Sequence, residues 1–284
     1  MTPPELFLID GIGPFFRATR SARVNWSKIP FSDLPEDEGF WSRLTGEFTT
    51  FADKAKSLGY TAVTLDDLAH LTPHPAHDDE TNSRLEFLAD RFEVLFGILE
   101  ERGLEIWITS DLISLTPAAE EHLGNSHRAR SAYFFDLVDR FFKRFPDVAG
   151  LIMRIGESDG LDVRDPLRSH LHLRTSRQTN RFFRKLLPRT DTLGKKVILR
   201  TWTVGAHHIG DLIWHRGRLS KTLRGLDSPN FIVSMKPGES DFFRHIPLNA
   251  AFFNYPGPKI LELQGRREYE GAGEFPSYLG FNLQ

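Results

Sequence analysis

The chain has no cysteine, so it builds no disulfide framework and offers no thiolate for nucleophilic or metal chemistry. It lacks a dominant charge: 36 Lys and Arg stand against 38 Asp and Glu, a net charge of −2, which gives no electrostatic reason to expect nucleic acid or an anionic membrane as partner. Long apolar runs are missing too. Stretches such as Gly150 to Met153 are far too short to cross a bilayer, and Met1-Thr2-Pro3-Pro4 is not a basic segment leading into an apolar one. These absences predict a soluble, cytoplasmic protein. No Gly-x-Gly-x-x-Gly follows any apolar run; Gly11-Ile12-Gly13-Pro14 is only a fragment of one, which disfavours a dinucleotide-binding fold. No Gly-x-Ser-x-Gly elbow supports a serine nucleophile.

What is present is an alternation of two periodicities. Short β-branched runs predict strands at 6–10, 61–65, 104–109, 150–154, 197–200, 231–236 and 260–263. Between them, helical spacing predicts helices near 40–58, 83–102, 128–145 and 176–187, the first two stopped by Gly59 and Gly103. Phenylalanine, at 24 residues, is concentrated on the apolar faces of these helices, and core packing accounts for nearly all of it. The basic run Arg181 to Arg189 reads as the solvated face of a helix. The stretch from His70 to Asp79, rich in His, Pro and Asp, reads as a loose loop.

Strands alternating with helices pair in parallel through right-handed crossovers. The predicted fold class is therefore α/β, of the (β/α)8 TIM-barrel type, in a single domain over 1–284. Such a barrel needs eight strands, and Gly271 to Gln284 are too few for a helix and another strand. The eighth strand is thus expected to be missing, through C-terminal truncation, or atypical.

In this architecture functional groups sit just after the strands. Polar residues follow the apolar runs repeatedly: Asp10, Asp66 and Asp67, Asp111, Arg154 and Glu157, Arg200 and Trp202, Lys236 and Asp241, then Glu262, Gln264 and Glu268. Acids beside Arg, Lys and Trp suit a sugar pocket. Hydrolysing a glycosidic bond takes two carboxyl groups, one to protonate the leaving oxygen and one to activate water or attack. Glu157, Asp241 and Glu268, from different strands, meet the requirement that they converge from separate sides. Trp107 and Trp202 are candidates for stacking on sugar rings, or for core packing. Glu262, between Leu261 and Leu263, should point inward as a carboxylate paired with Arg200 or Lys236.

Two segments, Phe231 to Phe243 (FIVSMKPGESDFF) and Lys259 to Gly271 (KILELQGRREYEG), resemble signature segments of the α-glucuronidases of glycoside hydrolase family 67. Val197 to Trp202 resembles the family strand whose Arg helps bind the uronate, and Arg154 to Gly160 the segment bearing its acid. The resemblance covers the C-terminal half best and lacks the family's N-terminal domain. It implies an inverting glycosidase acting on a uronic-acid-containing glycan, of the kind used in xylan degradation. Glu157 would be the general acid, with Asp159 its rival, and Asp241 and Glu268 would activate water. Arg154, Arg200, Trp202, Lys236 and Glu262 would contact a substrate that is an acidic carbohydrate. Met153 stands where the family has Lys, and Ser234-Met235 where it has Asn-Thr.

No cofactor and no metal is expected. Adjacent His207 and His208 diverge, and no His-Glu-x-x-His spacing occurs. Two other readings stay open: a metal-dependent sugar isomerase or epimerase barrel, and a catalytically silent carbohydrate-binding barrel. The sequence leaves the oligomeric state, the sugar and the linkage undetermined.

Overall fold

The structure is a computed structural model, and it describes residues 6–11, 31, 34–155, 166–201, 212, 217–236 and 248–263. The chain divides into two compact units, Met1–His172 and Leu173–Gln284.

In the first unit, β1 (Leu8–Asp10), β2 (Ala62–Asp66), β3 (Glu105–Asp111) and β5 (Gly150–Arg154) are parallel and neighbour one another in chain order. Between them run α1 (Glu38–Ser57), α2 (Asp79–Glu100), α3 (Pro117–Leu123) and α4 (His127–Arg144). A two-residue ribbon, β4 (Ser114–Leu115) with β6 (Arg168–Ser169), is antiparallel. In the second unit β7 (Lys196–Arg200), β8 (Phe231–Met235) and β9 (Lys259–Leu261) are parallel, again in chain order. They alternate with α5 (Ser176–Thr192), α6 (Arg218–Leu223) and α7 (Ala250–Asn254). The fold class is α/β of the (β/α)8 barrel type, with seven parallel strands and no eighth among the described residues.

The helices form where side chains repeat at helical spacing. On α1, Trp41, Leu44, Phe48, Ala52 and Ala55 are buried, and the Asp37 carboxylate accepts from Phe40 N at 2.7 Å to cap the first turn. Gly59, at φ +87°, takes the left-handed conformation that ends the helix. Gly11 ends β1 for a different reason: a Cβ there would lie 2.9 Å from Val63 Cγ1. On α4, Phe134, Phe135, Leu137, Val138, Phe141 and Phe142 are buried, so the predicted phenylalanine face is a core face. The basic run of α5 alternates as expected, with Phe182, Phe183, Leu186 and Leu187 buried and Arg181, Arg184, Lys185 and Arg189 exposed.

Two expectations fail. Helix α5 runs through Pro188 to Thr192 instead of stopping at Leu187. A proline inside a helix costs about 3 kcal/mol; on the continuing turn Thr190 is buried and its Oγ1 donates to Leu187 O at 3.1 Å. Thr192 Oγ1 also donates to Pro188 O at 2.8 Å. The segment from His70 to Asp79 is no loose loop. Its first part belongs to a 3-10 turn (Leu68–Leu71), and His70, Leu71, Thr72 and His77 are buried. Its polar groups find partners inside the fold: Thr72 Oγ1 donates to Leu68 O at 2.7 Å, His74 N to Asn82 Oδ1 at 2.9 Å, and Tyr133 OH lies 3.0 Å from His77 Nε2. Composition predicted solvent exposure; satisfied hydrogen bonds made burial affordable.

Candidate active site

The strand registers sort side chains onto two faces. In the first unit one face carries Val63, Leu65, Ile106, Ile108, Leu151 and Met153, all buried and apolar. The opposite face carries Thr64 and Asp66 on β2, Thr109 and Asp111 on β3, and Arg154 on β5, with Asp10 on β1 in register with Thr64. Asp10, Asp66, Asp111 and Arg154 are each the last residue of their strand. Below them Thr64 and Thr109 share a hydrogen bond at 3.1 Å between their hydroxyls.

Charges converge on this end. Arg154 is 1% exposed and its Nε lies 2.8 Å from Asp111 Oδ1. Its Nη2 lies 3.5 Å from Asp66 Oδ1 and 3.9 Å from Asp67 Oδ2. Asp67 accepts from Ala69 N at 3.0 Å and faces His70 Nδ1 at 4.0 Å, while Phe31 stacks on the His70 ring at 4.0 Å between centroids. One guanidinium thus faces three buried carboxyl groups. Burial pushes the Asp66 carboxyl well above the usual carboxylate range; Arg154 opposes this, while Asp67, Asp111 and Asp10 reinforce it. A protonated Asp66 lowers the negative charge confined beside Arg154.

A second polar network lies alongside. Burial lowers His77 to about 4, so it is neutral, with Thr116 Oγ1 at 2.9 Å from Nδ1 and Tyr133 OH at 3.0 Å from Nε2. Burial, with a smaller effect from Asp67, raises Tyr133 and keeps its proton on. On the β4–β6 side, Ser169 Oγ donates to Asp111 Oδ2, and His170 pairs with Glu120.

The second unit presents its own set. Arg200 is in register with Ser234, and Lys236 lies two residues farther along on the same face. Glu262 N donates to Met235 O at 3.0 Å, which continues the β8–β9 ladder and puts Glu262 on that face too. Arg200 reaches across β8 to Glu262 with two parallel bonds, Nε to Oε2 at 2.7 Å and Nη2 to Oε1. The pair is partly exposed, at 16% and 30%, whereas Lys236 is 9% exposed.

Of the residues expected from the sequence, the described structure brings Arg200, Lys236 and Glu262 to one strand-end face, and Glu262 pairs with Arg200, one of the two partners expected for it. Arg154 lies on a strand end as expected, but among Asp66, Asp67 and Asp111. Glu157, Asp241, Glu268 and Trp202 lie outside the described residues, as do Asp159, His207 and His208. Trp107 is fully buried, with Nε1 donating to Glu105 Oε2 at 3.2 Å, so it packs the interior and is not a sugar platform. Sequence reasoning noted Asp66, Asp67 and Asp111 as strand-end acids without assigning them roles. Their common signal was a carboxylate directly after an apolar run, repeated on successive strands. Ser169 carried no signal, because a small polar residue in a connection is unremarkable until its partner is known.

The fold places the chain among (β/α) barrel proteins. No family model and no curated protein matches the sequence. Among solved structures it is similar to a β-mannanase from the blue mussel Mytilus edulis, with TM-score 0.50 and 14% identity over 95% of this chain and 81% of that one. It also matches a GH138 enzyme targeting pectin rhamnogalacturonan II, with TM-score 0.46 and 16% identity over 72% of this chain. A maltogenic α-amylase from Thermotoga neapolitana gives TM-score 0.43 and 12% identity over 90% of this chain and 67% of that one. The chain spans only 23% of the length of the GH138 enzyme. At such identities the likeness is one of fold. No helix among the described residues is long and apolar enough to cross a membrane.

Proposed function

We propose that residues 1–284 form one catalytic domain of a glycoside hydrolase that acts, with inversion, on a uronic-acid-containing glycan. The observation that carries this reading is the face shared by Arg200, Lys236 and Glu262 at the C-terminal ends of β7, β8 and β9. Two cations beside one acid on this face form a set of groups suited to a sugar carboxylate. Glu262 holds the Nε edge of Arg200 and so orients the planar guanidinium, a group suited to bidentate carboxylate binding. The barrel type that this chain shares with the mussel β-mannanase, a glycan-cleaving enzyme by name, supports the class. The resemblance to α-glucuronidases supports the substrate, and with it a role in breaking down xylan.

In this proposal Glu157 protonates the departing glycosidic oxygen. Asp241 and Glu268 take a proton from a water that attacks the anomeric carbon from the opposite face. Arg200 and Lys236 hold the uronate, and Trp202 stacks on the ring. Arg154 is engaged by three aspartates, so we assign it to holding the strand ends rather than to the substrate.

The test is hydrolysis of a panel of uronic-acid-capped and neutral oligosaccharides, with and without EDTA, followed by NMR of the anomeric proton. We expect metal-independent release of the uronic acid with inversion, and loss of at least about a hundredfold in Glu157→Gln. Cleavage confined to neutral glycans would remove the acidic substrate. Turnover that requires a divalent cation and isomerises free sugar would replace the glycosidase with a sugar isomerase.

A further inference from the structure

Asp111 ends β3, is 5% exposed, and uses its two carboxylate oxygens on two different parts of the chain. Oδ1 meets Arg154 Nε at 2.8 Å, where the chain leaves β5. Oδ2 accepts from Ser169 Oγ, where the chain returns on β6. The backbone repeats both attachments. Leu112 N donates to Arg154 O at 3.0 Å, and Ile113 exchanges two bonds with His170, at 3.0 and 2.7 Å. The ribbon register, Ser114 with Ser169 and Leu115 with Arg168, continues the second attachment. In sequence, the residues between these two anchors include Glu157 and Asp159.

We infer that Asp111 is a positioning residue: it clasps together the end of β5 and the start of β6, the two anchors between which the candidate acid lies in sequence. This rests on the glycosidase reading for its consequence in catalysis, but the clasp itself does not. Fixing both ends of a connection removes much of its conformational freedom. A proton donor must be held close to its target oxygen, and misplacement by about 1 Å costs on the order of a hundredfold in rate. A carboxylate is suited to the task because its oxygens are rigidly spaced, so that one can face the Arg154 guanidinium as an ion pair while the other accepts from the Ser169 hydroxyl. Asp111 touches no part of a substrate in this scheme; it acts through Arg154 and Ser169.

The experiment compares wild type, Ser169→Ala, Asp111→Asn and Asp111→Ala in the full chain. It combines hydrogen–deuterium exchange of peptides spanning 155–168 with kcat and KM on whichever oligosaccharide the wild type cleaves. We expect exchange in that segment to accelerate several-fold in Ser169→Ala and more in Asp111→Ala, with α2 unchanged. The value of kcat should fall about tenfold to a hundredfold with KM held, and Asp111→Asn, whose amide keeps an oxygen acceptor and nearly the same shape, should lose least. Unchanged exchange in both Ser169→Ala and Asp111→Ala would overturn the clasp, as would acceleration spread evenly over the chain. A raised KM with kcat intact would make Asp111 a substrate ligand instead. If wild type cleaves no glycoside, the glycosidase reading falls while exchange still decides the clasp. Should Asp111→Ala fail to fold, Ser169→Ala decides it alone.

Discussion

Lowering the pH from 7 to 5 should weaken the fold through two buried histidines, and replacing one of them should remove its share. His77 and His172 are 7% and 6% exposed. Burial is the chief cause that lowers them to about 4 and about 3; His74 adds to the effect on His77, and His127 with Arg130 to that on His172. In the unfolded chain both return to about 6.5. Their folded values are depressed, so the unfolded state takes up protons first as pH falls below about 6.5. Stability is full above that pH, declines through the interval, and levels off once the folded pKa is passed. With the values above, each site contributes about 2 kcal/mol of loss at pH 5, about 4 kcal/mol together, as an upper figure. The variant is His172→Gln. Ser131 Oγ donates to His127 O at 2.8 Å, so it accepts from His172 Nε2 at 2.9 Å, a bond that a glutamine amide can reproduce without titrating. Urea unfolding at pH 7 and pH 5 measures both proteins, and comparing their pH losses cancels the carboxylates common to both. Wild type should lose about 2 kcal/mol more than His172→Gln over that interval. Equal losses would refute the reasoning, because they would mean that the folded protein protonates His172 as readily as the unfolded chain does.

The acid–Arg154 cluster makes two further predictions. Asp66 is raised by burial, so the folded state gains a proton relative to the unfolded chain above its ordinary pKa, and this stabilising linkage fades as pH rises through the folded value. Asp66→Asn mimics the protonated form and should therefore raise the melting temperature more at pH 8 than at pH 5; the opposite order would show that an ionised Asp66 is Arg154's required partner. Arg154→Met leaves buried acids uncompensated and should cost about 3–5 kcal/mol, measurable by urea unfolding. Adding Asp111→Asn should recover part of that loss, and strict additivity of the two changes would rule out charge compensation.

The correspondence between sequence and structure is closest where periodicity carries the information. Strand 150–154 and helix 128–145 were predicted to within a residue of β5 and α4, because burial of one face imposes a repeat that can be read along the chain. The short ribbon β4–β6 and helix α3 were not predicted, although Thr116 with Pro117 is a recognisable cap and first turn. His70 to Asp79 was misjudged because composition reports polarity but not whether partners exist. The same limit applied to the site. Glu262 faces Arg200 or Lys236 by its position in an apolar strand, since alternation tells which face a residue takes, and the structure pairs it with Arg200. Arg154 was assigned to a substrate because a strand-end cation next to a candidate acid looks alike whether it faces solvent or three aspartates.

By itself the sequence determined the alternation of parallel strands and helices, the apolar faces and the strand-end positions of Arg154, Arg200, Lys236 and Glu262. Each follows from local periodicity, which depends on neighbours a few residues away. Only the tertiary structure decided that Arg154 is buried against Asp66, Asp67 and Asp111, that Ser169 meets Asp111, and that Trp107 is interior. Those facts depend on which distant segments share a space. A charged or hydroxyl side chain has the same letter whether it meets water, a ligand or a buried partner.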